Sequence, residues 1–232
     1  MTGMNRPRTL QMIEERTTVV SAAADAIREA IYAGSLEQGD RIPQVSSGKS
    51  LGISRGTLRE ALRELQEQGL LEIIPHRGAF VTSLSPSDIV EIYTFRALLE
   101  SSAARKALEE GVDGPSIALL NSLVEQMDVS ERFGDLRTAV DADIRFHRFL
   151  CEKGRNSLVV QAFDSLSVRI RLCMLNGLLH SEGALPEAED HEGIVAAMAN
   201  ADPVSAEEAV REHCLRALKT CLRRYHYVKR ES

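Results

Sequence analysis

The sequence contains no tryptophan, and aromatic residues make up only 4% of its 232 positions. A core built from this chain must therefore consist mainly of aliphatic side chains, which is typical of packed helices. No stretch approaches the roughly 18 to 20 consecutive apolar residues of a membrane-spanning helix. The N-terminal stretch "MTGMNRPRTLQMIEERTTVV" lacks the apolar segment of a signal peptide. These absences lead us to expect a cytoplasmic protein.

Cysteine is scarce as well, with four residues and no CxxC spacing: Cys151, Cys173, Cys214 and Cys221. All four fall within helical patterns, so we expect buried, reduced thiols rather than disulfides or a cysteine zinc site.

The chain also has no excess of positive charge, because its net charge is −6. For the chain as a whole, this charge argues against nucleic-acid binding. The charge is uneven, however. Residues 1–83 hold ten basic and ten acidic residues, whereas residues 84–232 hold 18 basic and 24 acidic ones. Within the neutral first half, Arg55, Arg59 and Arg63 are spaced four apart along one helical stripe.

The first half has the pattern of a small DNA-binding domain. Apolar spacing predicts a helix over 17–33 and a short helix over about 45–51, with the turn "GDRIP" between them. A third helix follows Ser54, which can cap it. "LLEII" and "AFVTSL" then predict two strands around the turn "PHRG".

The third helix carries short polar and cationic residues in its first turns and apolar residues behind them, as a recognition helix in a major groove requires. The hairpin that follows would form a wing reaching the minor groove or phosphates. A solvated amphipathic helix followed by a plain hairpin is the alternative, but the order of the elements favours the DNA-binding interpretation. The candidate DNA-binding residues are Ser54, Arg55, Thr57 and Arg59 on the helix and His76, Arg77 and Gly78 in the wing.

The segments "AGSLEQGDRI", "LGISRGTLREALRELQEQGLL" and "RGAFV" closely resemble the winged helix-turn-helix of the GntR family of bacterial transcription regulators, over about 17–83. The resemblance implies that the same seven residues contact operator DNA. Two features depart from the family pattern. Gly48 and Lys49 stand where alanine or apolar residues are usual, which weakens helix packing or changes a phosphate contact, and Gln38 precedes Gly39 where proline is usual.

The second half reads as helices only. "SLSPSDIV" marks the boundary, with Ser85 as a cap and Pro86 in the first turn. Ser205 and Glu208 match a capping box for the last helix. We therefore expect an N-terminal extension (1–16), a winged helix-turn-helix domain (17–83) and an all-helical effector-binding and dimerisation domain (84–232), in a mainly α protein. The predicted helices cover 87–110, 115–129, 135–154, 156–179, 187–200 and 205–229.

Within "DADIRFHRFL", Asp143 and His147 lie four residues apart and so on one helical face. Taken alone, the pair is most simply a core histidine oriented by a carboxylate. His191 and His213, on two later predicted helices, also occupy largely apolar surroundings. One aspartate and three histidines form a plausible site for Zn²⁺, Ni²⁺ or Mn²⁺.

The segments "IVEIYTFRALLE", "DADIRFHRFLCEKGRNSLV", "DHEGIVAAM" and "AVREHCLRAL" resemble the FCD effector-binding domain of FadR-type GntR regulators. The resemblance implies a divalent metal on Asp143, His147, His191 and His213, with a small organic acid bound nearby. It also implies that Arg96 pairs with the carboxylate of that acid; the alternative is an Arg96–Glu100 pair on the surface. Asn156 is expected to cap a helix.

Together these features predict a homodimeric, ligand-responsive regulator that binds a pseudo-palindromic operator, with repression more common than activation in the resembled family. Two alternatives stay open. One is a metal-dependent hydrolase on the helical half, which would need an acid or base such as Glu189, Asp190 or Glu192 beside the ion. The other is a regulator in which the metal is purely structural.

Overall fold

The architecture was analysed in a computed structural model that describes residues 14–179 and 188–231, with side chains from 19 to 175 and from 191 to 225. Most of the expected N-terminal extension, residues 1–13, lies outside the described residues. The first helix begins at Glu14, three residues before the predicted Thr17.

The first half folds as a winged helix-turn-helix, as predicted. Its three helices pack around buried aliphatic residues, among them Ile27, Leu58 and Leu62. A small antiparallel sheet in the order β1-β3-β2 closes the domain. The elements are α1 (Glu14–Tyr32), β1 (Arg41–Ile42), α2 (Gln44–Ser50), α3 (Arg55–Glu67), β2 (Leu71–Ile74) and β3 (Gly78–Val81).

The sheet has three strands rather than the predicted two. Arg41 and Ile42, expected to lie in a turn, pair with Phe80 and Ala79 of β3. Two residues are too few to show an alternating pattern, so only the pairing with β3 defines β1 as a strand.

The second half is all-helical, which confirms the predicted fold class. The helices are α4 (Pro86–Glu110), α5 (Gly114–Arg132), α6 (Leu136–Lys153), α7 (Ser157–Leu179), α8 (Ala188–Ala199) and α9 (Pro203–Glu231). α4 packs along α9, while α6 packs against α4, α5 and α7 and α8 packs against α5 and α9. Around these contacts lies a second apolar cluster that includes Leu123, Phe146, Leu150 and Ile194.

Hydrogen bonds from capping residues define where α4 and α9 begin. The Ser85 hydroxyl accepts from the Asp88 amide and the Asp88 carboxylate accepts from the Ser85 amide, which confirms the predicted start of α4. The capping box predicted for α9 is wrong. Asp202 caps this helix instead, accepting from the Val204 and Ser205 amides, so Ser205 lies inside the first turn.

The two halves contact each other along α7. Gln38 donates from Nε2 to the Leu172 carbonyl at 3.2 Å and accepts from the Leu84 amide at 3.0 Å, so it joins the DNA-binding half, the connecting segment and α7. The Arg171 guanidinium lies over the Tyr32 ring at 4.9 Å and pairs with Asp141 of α6. The residue that replaces the usual proline therefore bridges the two halves.

Among the described residues, no helix is both long enough and apolar enough to cross a membrane. All four cysteines are buried and free, as predicted.

Candidate DNA-binding face and metal centre

The recognition helix α3 is strongly amphipathic. Its buried face consists of Leu58, Ala61, Leu62 and Leu65. Its arginines are exposed to solvent. The Ser54 hydroxyl caps the helix by accepting from the Thr57 amide at 3.1 Å and lies 2.9 Å from the Thr57 hydroxyl. Two of the predicted DNA-binding residues thus also hold the helix start in place, as the sequence led us to expect for Ser54.

The wing turn presents the other predicted residues to solvent. His76 and Arg77 are exposed, and the Arg77 guanidinium lies over the Phe80 ring at 5.7 Å. His76 has a φ of 61° and Gly78 a φ of 113°. This tight turn between β2 and β3 projects the imidazole and the guanidinium beside α3.

Gly48, part of the first departure from the family pattern, lies where α2 packs against α3. It is buried, and a Cβ built on it would lie 3.6 Å from the Ile53 carbonyl oxygen and 3.7 Å from Leu58, both ordinary contact distances. A methyl group would therefore fit at this position, and glycine lacks the contacts that it would make.

In the effector half, the four candidate ligands come from three helices and meet in the core. Asp143 and His147 share one face of α6, His191 comes from the first turns of α8, and His213 comes from α9. All four side chains are buried, with at most 4% of any residue exposed. One ligand atom from each lies within 4.8 Å of the others.

Three of these ligand atoms converge in a small space. Nε2 of His191 lies 3.0 Å from Oδ1 of Asp143 and 3.3 Å from Nε2 of His147. The His213 ring packs on both neighbouring imidazoles, with centroids 4.3 Å from His191 and 4.9 Å from His147. The Phe146 ring meets two of the imidazoles edge-on and closes one side of the cluster.

The cluster leaves polar atoms without partners. Both ring nitrogens of His213, Nδ1 of His191 and Oδ2 of Asp143 are buried without a hydrogen bond. Burying such groups unsatisfied is costly. Two ligands about 2.1 Å from one ion lie at most about 4.2 Å apart, so small side-chain shifts would let these atoms share an ion. The residues present therefore fit a divalent metal.

The electrostatics of the cluster favour the metal-binding forms of His213 and Asp143. Burial lowers the pKa of His213 well below its usual value, and the neighbouring His191, His147 and Arg96 lower it further. Burial alone would raise the pKa of Asp143, but the Arg96 guanidinium, His147 and His191 together hold it below its usual range. A neutral imidazole and an ionised carboxylate are the forms that bind metal ions.

Glu100 is a site residue that the sequence analysis did not assign. Its side chain is fully buried; Oε1 accepts from Nε of Arg96 at 2.8 Å, and Oε2 lies 2.6 Å from Nδ1 of His147. The Arg96–Glu100 pair of the alternative interpretation exists, but it lies in the core rather than on the surface. The sequence did contain a signal for Glu100, because it is an acidic residue four positions after Arg96 on a helix face that is otherwise apolar.

Arg96 lies in the core beside the ligands rather than on an open pocket wall. It is 1% exposed, and its Nη2 is 3.6 Å from Oδ2 of Asp143. That Nη2 is also a buried donor without a hydrogen bond. The predicted effector-binding residue is thus next to the metal-ligand cluster.

The remaining candidates are Asn156 and the three acidic residues near His191. Asn156 caps α7 through the Leu158 and Val159 amides, as expected. Of the acids considered for a hydrolase, Glu192 is exposed, and the side chains of Glu189 and Asp190 lie outside the described residues.

Comparison with known proteins agrees with both halves. Residues 20–81 match the family described as bacterial regulatory proteins, gntR family, and residues 91–216 match the FCD domain. The chain is 32% identical over 199 residues to a "Probable D-xylose utilization operon transcriptional repressor" of Paenarthrobacter nicotinovorans, covering 85% of this chain and 86% of that protein. It is 38% identical over 133 residues to an HTH-type transcriptional regulator of Agrobacterium vitis, covering 56% of this chain and 78% of that protein.

A solved regulator of the GntR type from Rhodococcus sp. RHA1 has the same fold, with a TM-score of 0.74 at 23% identity, covering 88% of this chain and 98% of that one. These matches are to transcription regulators and not to enzymes. The chain belongs to the GntR family of bacterial transcription regulators, with an FCD domain following its winged helix-turn-helix.

Proposed function

We propose that this chain is a ligand-responsive repressor that binds a pseudo-palindromic operator as a homodimer. In this proposal residues 17–83 bind DNA, and residues 84–232 bind the effector and form the dimer. The exposed arginines of α3 and the wing turn support base and backbone contacts by each protomer. The dimer would set the spacing of the half-sites. Repression is supported by the name of the Paenarthrobacter relative.

The observation that carries the metal part of the proposal is the four-residue cluster with its unsatisfied buried atoms. Asp143, His147, His191 and His213 would hold Zn²⁺, Ni²⁺ or Mn²⁺. A divalent ion bound there would supply positive charge and an open coordination position for an oxygen ligand.

The charges around the cluster favour an anionic effector. Arg96 carries one positive charge, while Glu100 and Asp143 carry two negative charges, and histidines that bind a metal are neutral. With a divalent ion these buried groups have a net charge of +1, which a small organic acid would neutralise. Nη2 of Arg96 makes no hydrogen bond in the core and is a donor available to a carboxylate of that acid.

Effector binding would change the placement of the two DNA-binding domains. The free energy for this change comes from the difference in effector affinity between the DNA-competent and DNA-incompetent states. A metal that only stabilises the helical domain is the rival, and it would leave operator affinity independent of organic acids.

Metal analysis tests the site. The protein purified without chelator should contain divalent metal, or take it up, in an amount equimolar with the chain. His213→Ala should lose most of this metal, because it removes a ligand that has no other partner in the core. His76→Ala is the matched control, since His76 is an exposed histidine of the wing. A wild-type protein that takes up no metal, or a His213→Ala variant that keeps all of it, would overturn the proposed centre.

A further inference from the structure

A groove of about 900 Å³ lies between the β1–α2 segment and the wing. Arg41 and Lys49 line one side of it, and the wing turn lines the other. Arg59 of the recognition helix also lines the groove. Residues expected to contact DNA therefore share this groove with two cations that are not among the seven predicted DNA-binding residues.

Most of the described cations in the DNA-binding half lack acidic partners. Between residues 19 and 83, where its side chains are described, this half contains seven arginines and lysines. Only Arg28 among them forms an ion pair there, with Asp25 and Glu64. In the effector half many surface arginines are paired, such as Arg105 with Glu207. Positive charge that is left unneutralised on one face attracts a polyanion.

The structure gives Arg41 a defined place against the wing. A Cβ at Gly78 would lie 3.3 Å from Nε of Arg41, so the glycine leaves room for the guanidinium to lie across the wing. Lys49 lies in the last turn of α2, exposed to solvent. A cation there also suits the negative end of the helix dipole, which would be a purely structural role.

We propose that Arg41 and Lys49 bind backbone phosphates of an operator strand that lies in this groove. The inference rests on the operator-binding function proposed above. Phosphate contacts position a protein on DNA without reading its sequence. Lysine at position 49, part of the first departure from the family pattern, then adds a phosphate contact that belongs to this chain.

The test is the salt dependence of DNA affinity, measured by fluorescence anisotropy with the full-length protein. The probes are a random-sequence duplex and an operator selected from such duplexes by the wild-type protein. Loss of one phosphate contact should lower the slope of log K against log salt by about 0.9, and so by about 1.8 for a dimer. Arg41→Ala and Lys49→Ala should each show this change and should weaken binding to both duplexes by a similar factor.

Arg105→Ala is the matched control, because Arg105 is an exposed arginine of the effector half, and its slope should equal that of the wild type. An unchanged slope for both variants would overturn the inference, even if Lys49→Ala lowers the melting temperature through the helix dipole. A wild-type protein without salt-dependent DNA binding would instead contradict the operator-binding function itself.

Discussion

At the scale of single residues, Glu100 connects Arg96 to the four-residue cluster. One carboxylate oxygen accepts from Arg96, and the other lies beside Nδ1 of His147. This leaves Nε2 of His147 directed at the other ligands. A partner that holds the second nitrogen of a metal-binding imidazole fixes the orientation of the ring, and its loss lowers metal affinity or activity.

Glu100→Gln should therefore weaken metal binding by about 10- to 100-fold. The glutamine has a single acceptor oxygen and cannot serve Arg96 and His147 together. Competition with a chromophoric chelator measures the change, and Glu109→Gln, on the exposed face of the same helix, should bind metal like the wild type. If the wild-type protein binds metal and Glu100→Gln binds it with the same affinity, Glu100 does not position His147.

At the scale of secondary-structure elements, local signals decide some boundaries and mislead at others. Ser85, Pro86 and Asp88 specify the start of α4 because all their partners lie within one helical turn. For α9, two competing caps lie three residues apart. Asp202 is the residue that caps the helix, because its carboxylate accepts hydrogen bonds from two amides and from the Ser205 hydroxyl.

Gly48 within α2 allows a stability prediction. A methyl group fits there at ordinary contact distances, and alanine loses less backbone freedom than glycine on entering a helix. Gly48→Ala should therefore raise the free energy of unfolding by about 0.5–1 kcal/mol, measured by urea denaturation.

Gly52→Ala is the matched control in the neighbouring turn. Gly52 has a φ of 65°, a conformation that costs an L-residue roughly 1–2 kcal/mol, so this variant should be less stable by about that amount. A Gly48→Ala variant destabilised to a similar degree would mean that α2 and α3 have no room for the added methyl group.

At the scale of the whole molecule, the contact along α7 holds the DNA-binding half against the effector half. Arg171 contacts Tyr32 of α1 and Asp141 of α6. Asp141 lies two residues before the proposed ligand Asp143 on the same helix. A change at the proposed metal centre would therefore have a short physical route to the DNA-binding half.

Gln38→Ala should loosen this contact. It removes two hydrogen bonds, each contributing about 0.5–1.5 kcal/mol, and one of them protects the Leu84 amide. Hydrogen exchange at the Leu84 amide should become faster, by roughly the tenfold that 1.4 kcal/mol represents.

Gln161→Ala is the control, because Gln161 is an exposed glutamine of α7 and should leave Leu84 exchange unchanged. Unchanged exchange in Gln38→Ala as well would show that the bridge does not hold the connecting segment.

The sequence by itself determined whatever depends on neighbours along the chain. Helical periodicity placed Asp143 and His147 on one face, and capping residues defined α3 and α4. Only the tertiary structure decided how distant residues meet. It paired Arg41 and Ile42 with β3, buried Glu100 between Arg96 and His147, and directed Gln38 to α7. Such contacts depend on how whole helices pack against each other, and a local sequence pattern contains no information about that packing.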